Sequence, residues 1–320
     1  MNFNKVNNTV SLEYFRASCA LARSWLLGGP CCAQTWDRFR LDEMMQILLG
    51  SWLCECTCQD SGGRDRLYIF AKTLDERLQR ELKEGRFDPF AYDPKLLLLT
   101  HNILSLNGCN GPGIEDFAEQ LGRAFDTLSM IPLERHGEAL LLSKLGYYAA
   151  PLVPRLDLYP AKPDALWILR ADETVIRSLC ANISAATLFG QCPMHGSKDE
   201  HGLLVYVLPI ILLQSLREYN LELGTILIRT LCYLGQIEDA AIPLAAKFLL
   251  DQQREDGKFG HFDVEVTKIA KETKSEPSEV AKRLYLPTTV SCNWAIAELC
   301  GINLFRLIPP ASDTVNPAGG

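Results

Sequence analysis

The chain has 320 residues, 48% of them hydrophobic and 22% charged, and a formal net charge of −7. That length can bury a large core in one large domain or two ordinary ones, and the composition is that of a globular protein. The acidic balance excludes the basic face of a nucleic-acid binder, and the longest apolar run, 203–213, is about half of the roughly 20 residues that cross a bilayer, so neither a nucleic-acid partner nor a membrane span is expected.

Helical spacing of apolar residues predicts a first helix over 11–27, carrying Phe15, Cys19 and Leu26 and stopped by Gly28-Gly29-Pro30. A second is expected over 41–54, with Asp42 and Glu43 in its first turn, where the helix dipole favours acids. The stretch 67–84 reads as an amphipathic helix with Ile69, Phe70, Leu74 and Leu78 inward. Further helices are expected over 94–106, 114–130 and 134–149.

Four prolines make 151–163 a long connection, where two halves of the protein would meet. Helices then follow over 172–189, 203–219, 221–234, 237–253 and 262–276. The last is expected over 288–304, beginning after Pro287 and capped by Thr288 and Thr289. Residues 309–320 read as a disordered tail, leaving 1–308 as a single domain. No period-2 alternation suggests strands, so the fold class is all-α, with about six helical hairpins.

The 12 cysteines are irregularly spaced, and the polar stretch 1–10 lacks a basic-then-apolar leader. The expectation is a cytoplasmic protein whose thiols are reduced and act as small core residues. Cys192, His195 and His201 fall close together, yet no obvious fourth ligand accompanies them. Neither a metal nor a cofactor is expected. Cys54, Cys56 and Cys58 do not follow structural-zinc spacing and read as local packing. His261 and Asp263 read as a solvated surface pair.

The stretch A-K-F-L-L-D-Q-Q-R-E-D-G-K-F-G-H-F-D (246–263) joins a helix end to an Asp-Gly turn and then to aromatics. With Gln253, Asp256-Gly257 and Phe259, it resembles the glutamine–tryptophan motif of the terpenoid cyclase and prenyltransferase-like superfamily, with Phe259 where Trp is usual. The resemblance implies an α/α toroid around a central cavity, with Gln253 tying one helix end to the next. It does not carry over the superfamily's Asp-rich chemistry, because the sequence contains neither D-x-D-D nor D-D-x-x-D. A looser likeness joins 80–90, 181–190, the Gln253 turn and 285–290 to an uncharacterised bacterial family of helical proteins encoded near natural-product genes. In that family histidines stand near the positions that Asn182 and Pro287 occupy here.

Within such a ring, inner helices expose a few polar groups to the cavity. His101, polar in a leucine-rich run, is the expected acid or base, with Asp172 and Glu173 opening another helix. Tyr147, Tyr148, Asn182, Asn293 and Trp294 are the expected substrate contacts. Two functions follow. One is an enzyme of natural-product biosynthesis, performing acid–base cyclisation, isomerisation or dehydration of a terpenoid, polyketide or peptide intermediate. The other is a non-catalytic helical protein that binds a peptide or a biosynthetic enzyme; the expected partner is an apolar small molecule or a peptide intermediate.

Overall fold

The computed structural model describes residues 11–28, 39–58, 63–128, 131–132, 135–148, 165–194 and 198–308, the last range with side chains from 202. The Pro-rich connection 151–163, the tail 309–320 and His195 lie outside the described residues, as does the side chain of His201. Among the described residues there are fourteen α-helices and no strand. They are α1 (Leu12–Leu27), α2 (Leu41–Cys58), α3 (Arg64–Lys83), α4 (Pro94–Leu106), α5 (Ile114–Asp126), α6 (His136–Leu145) and α7 (Ala165–Arg170). After these come α8 (Glu173–Ala186), α9 (Lys198–Arg217), α10 (Leu221–Tyr233), α11 (Ala241–Asp251), α12 (Asp263–Thr273), α13 (Pro277–Leu299) and α14 (Leu304–Leu307).

Local chemistry sets several of these boundaries. Asp93 caps α4 by accepting from the Leu96 amide at 2.8 Å, with Pro94 at the first helical position. Asp172 caps α8 through Val175 at 2.9 Å, and Asn220 caps α10 through Leu223 at 3.1 Å. Each cap supplies an acceptor to an amide that the helix itself leaves unpaired.

Two sequence expectations are corrected. The last long helix begins at Pro277 and runs through Pro287, so Thr288 and Thr289 are not its caps. Pro287 withholds an amide from the Arg283 carbonyl, but its ring is exposed, while Tyr285, Leu286 and Val290 are buried to either side and hold the helix together. Thr289 is buried and accepts from the Phe259 amide at 3.1 Å. The second correction is Ile69, which points outward from α3 at 63% exposure because Phe70, Leu74 and Leu78 already fill the inner face.

The long helices pack in a defined neighbour order. Helix α13 lies between α2 and α10; α2 borders α4, α4 borders α6, and α10 borders α8. The row α6–α4–α2–α13–α10–α8 thus places the last long helix beside one of the first. Against these helices, α1 packs on α2 and α13, α3 on α2 and α4, α5 on α4 and α6, α9 and α11 on α10, and α12 on α13. The two ends of the row approach each other at Phe189, just past α8, where a Cβ added to Gly137 of α6 would stand 2.9 Å from the phenyl ring. Buried residues from every helix but α12 share one large apolar core, and Val266, Ala270, Val280 and Tyr285 form a small one beside it.

The loop after α11 clips the chain's end to its beginning. Gln253 Nε2 donates to the Ser18 carbonyl of α1 at 2.9 Å and to the Gly257 carbonyl at 3.0 Å. Gly257 adopts φ 98°, and a Cβ there would collide with the Leu21 carbonyl, so both conformation and contact require glycine. Phe259 is fully buried beneath this turn.

Candidate functional site

Helices α10 and α13 run side by side in the same direction, because Thr225 meets Ser291 at one level and Tyr233 meets Glu298 further along. Ser291 and Trp294 on α13, and Glu222, Ile226 and Arg229 on α10, escape full burial. Steps of three and four residues place each set on one helix face. Cross-links tie the two faces together. The Thr225 and Ser291 hydroxyls are 2.6 Å apart, and the Arg229 guanidinium lies 4.2 Å from the centre of the Trp294 ring. Tyr233 donates its hydroxyl to Glu298 Oε1 at 3.0 Å.

Glu298 is 5% exposed, and three donors converge on it. Besides Tyr233, Asn303 Nδ2 stands 3.2 Å from Oε2 and Trp294 Nε1 stands 3.4 Å from Oε1. Burial pushes the carboxyl pKa up from its usual range to about 7, with Tyr233, Arg229, Trp294 and Asn303 restraining the rise. The same burial, followed by the neighbouring Glu298 charge, pushes the Tyr233 phenol well up. Tyr233 is therefore a donor to the carboxyl and not its base.

A strained turn roofs this carboxyl. Leu188, Phe189 and Gly190 adopt φ 45°, 55° and 78° in succession. Left-handed backbone at a bulky residue costs on the order of 1–3 kcal/mol and collects at functional sites. Here the conformation is held by Asn303 Nδ2 donating to the Phe189 carbonyl at 2.7 Å, and by Arg306 donating to the Gly190 carbonyl at 2.6 Å. Phe189 stacks on Phe305 with centroids 4.1 Å apart and meets Tyr233 edge-on at 6.2 Å. One residue, Asn303, thus bonds both the carboxyl and its roof. The result is a carboxyl that changes charge near neutrality, walled by aromatic rings, with a guanidinium at its side.

The residues expected from sequence are distributed as follows. His101 is 7% exposed on α4, its Nε2 is 3.4 Å from the Tyr147 hydroxyl, and its Nδ1 has no partner. Burial lowers the His101 pKa and pushes that of Tyr147 up to about 12, so the pair is neutral at physiological pH. Asp172 and Glu173 are exposed and committed elsewhere: Asp172 to its cap, Glu173 to Arg177 at 2.6 Å and to Asn220 at 2.8 Å. Tyr148 is buried edge-on against Phe125 at 6.1 Å. Asn182 is half-buried on α8. Asn293 is fully buried, with neither amide atom hydrogen-bonded. Trp294 alone among them touches Glu298.

Sequence reasoning missed Glu298, Tyr233 and Arg229. The available signal was a glutamate four residues after a tryptophan inside the apolar run Ala295–Cys300, a charge that must be satisfied if the helix is buried. Cys192 is half-buried. Among the described residues no group of three or more His, Cys, Asp or Glu side chains is placed to hold a metal. In comparison with known proteins, the chain matches no family model, no curated protein and no solved structure.

Proposed function

We propose that the protein is an α/α-toroid enzyme in which Glu298 exchanges a proton with an apolar small molecule held against Trp294 and Phe189. The ring reading is supported by the neighbour order of the long helices and by the approach of Phe189 to Gly137 at the two ends of the row. The chemistry rests on one observation: a buried carboxyl, poised near pH 7, receives three hydrogen bonds beneath a strained aromatic turn.

In the protonated state Glu298 gives its proton to an alkene carbon or carbonyl oxygen of the ligand. The carboxylate left behind is stabilised by Tyr233, Trp294 and Asn303, which already point at it. Arg229 would receive an anionic or carbonyl oxygen on the same molecule. Return of a proton from another carbon to the carboxylate completes an isomerisation with no oxidant or cofactor. Cyclisation and dehydration differ only in which bond forms or breaks between the two proton transfers. The ligand class we assign is a terpenoid, polyketide or peptide intermediate, in keeping with the aromatic rings of Trp294, Phe189 and Phe305.

The test is hydrogen exchange into whatever ligand copurifies with the protein. Wild-type protein in D2O should introduce deuterium into that ligand, and Glu298→Gln should bind it without doing so. Retained binding with no exchange in the wild type would favour a non-catalytic carrier. Equal exchange in both proteins would remove Glu298 from the chemistry.

A further inference from the structure

A cleft of about 540 Å³ opens at the other end of α10, where the turn from α9, the loop 260–262 and Thr288 of α13 meet. Tyr219, Glu222, Gln252, His261 and Phe262 line it with Thr288. It is remote from the proposed proton-transfer site, since Glu222 precedes Tyr233 by about 16 Å along the helix axis. Its volume lies within the range of small-molecule sites, roughly 300–1,000 Å³.

The cleft is built from fixed parts. Gln252 is 8% exposed, and its Oε1 accepts from His261 Nε2 at 3.0 Å. That bond makes Nε2 the protonated nitrogen, while Arg254 Nη1 stands 3.4 Å from Nδ1. Arg254 is held in turn by Asp263 at 2.8 Å, and Asp263 accepts from the Tyr285 hydroxyl at 2.7 Å. Both imidazole nitrogens are therefore engaged, and the ring orients the Gln252 amide. Among the described residues the amide's Nε2 makes no hydrogen bond, which leaves it as a donor in the wall of the cleft. Tyr219 stands at the rim in a left-handed conformation, φ 58°, with its ring 5.6 Å from that of Phe248. A tyrosine there carries strain that a glycine would not.

Glu222 is the carboxylate among these lining residues, and Arg177, 3.5 Å away, is also bonded to Glu173 at 2.6 Å. A carboxylate that shares a cleft with aromatic rings recognises an organic cation, through the charge and through the ring quadrupoles. The positive end of α10 is answered by the Asn220 cap and by Glu222 itself, so it does not turn the cleft toward anions. We infer that this cleft binds a small organic ammonium compound, its cation at Glu222 between Tyr219 and Phe262 and a hydrogen-bond acceptor on its body at Gln252. An arylalkylamine carrying an ether, hydroxyl or carbonyl oxygen meets all three requirements.

Calorimetric titration of the full chain with 2-phenylethylamine, 2-phenylethanol and phenylacetate separates the alternatives. The amine should bind saturably, and the other two should bind at least about tenfold more weakly. Glu222→Gln should weaken the amine about tenfold and erase its advantage over the alcohol. Tyr219→Leu should weaken it also, and Glu298→Gln should leave it unchanged. Equal or tighter binding of the alcohol or the carboxylate, no saturable binding of the amine, or an unaltered Glu222→Gln variant would each overturn the assignment.

Discussion

Tyr233 of α10 donates its hydroxyl to Glu298 of α13 at 3.0 Å, with both residues buried. The bond joins two neighbouring helices at the point where the carboxyl needs a partner. It also fixes the direction of proton donation, because burial raises the phenol pKa further above neutrality than that of the acid. The consequences of this arrangement are measurable without knowing the substrate.

Stability should carry the signature of Glu298. Its folded pKa of about 7 lies above the usual 4.5, so the folded protein binds more protons than the unfolded chain between these values. Unfolding free energy therefore falls as pH rises from 4.5 to 7, by about 3 kcal/mol from this group. His101, with a lowered pKa, works in the opposite direction over part of that window. The difference between wild type and Glu298→Gln isolates the glutamate. Urea denaturation at pH 5 and pH 8 should show the fall in wild type minus variant, and parallel curves would refute it.

Asn303 links the acid to its roof. Asn303→Ala removes a donor that holds the Glu298 pKa down and one that holds the Phe189 carbonyl. The carboxyl should titrate higher still, and the protein should lose about 2 kcal/mol. Both are read from a pH titration and a denaturation curve of the same variant. A Glu298 pKa that stays or falls would show that the amide does not support the carboxylate.

Lys282 offers an independent check on buried charge. Its Nζ donates to the Trp25 and Leu26 carbonyls at 2.7 and 3.1 Å, closing the last turn of α1, and it lies 3.9 Å from the Trp25 ring centre. Burial lowers its pKa to about 7. The unfolded chain therefore binds the extra proton between pH 7 and the usual 10.5, and stability rises over that interval. Lys282→Met should abolish the rise and, by leaving two carbonyls unpaired, lower stability by about 1–3 kcal/mol. A rise that persists in the variant would place its origin elsewhere.

The Gln253 clip should matter more than its exposed neighbours. Gln253→Ala breaks bonds to Ser18 and Gly257 and should cost about 2 kcal/mol. Exchange protection around Ser18 in α1 and at the end of α11 should fall with it. Glu255→Ala, on an exposed position of the same turn, should change stability by less than about 0.5 kcal/mol.

Helices were legible where apolar spacing and stop signals agreed, as over 94–106, where Asp93 and Pro94 begin α4 and Asn107 follows its end. The family resemblance implied only that Gln253 ties one helix end to the next; its partner, the Ser18 carbonyl of α1, lies 235 residues away in the chain and no local spacing names it. Pro287 misled because a proline ordinarily marks a boundary, and only tertiary burial of Tyr285 and Leu286 carries α13 through it. Asp172 resembled a catalytic acid at the start of a helix, where an N-cap presents the same pattern. Glu298 was hidden for a different reason. Trp294 and Asn303 stand four residues before it and five after, but Tyr233 comes from α10, 65 residues away, and no local spacing relates it to them.

The central claim is that Glu298 is a proton donor at neutral pH. Carbon-13 NMR of protein labelled at glutamate δ-carbons, with wild type compared to Glu298→Gln, tests it directly. One resonance, absent from the variant, should titrate with a midpoint of about 7. A Glu298 resonance that titrates with the exposed glutamates would contradict the account.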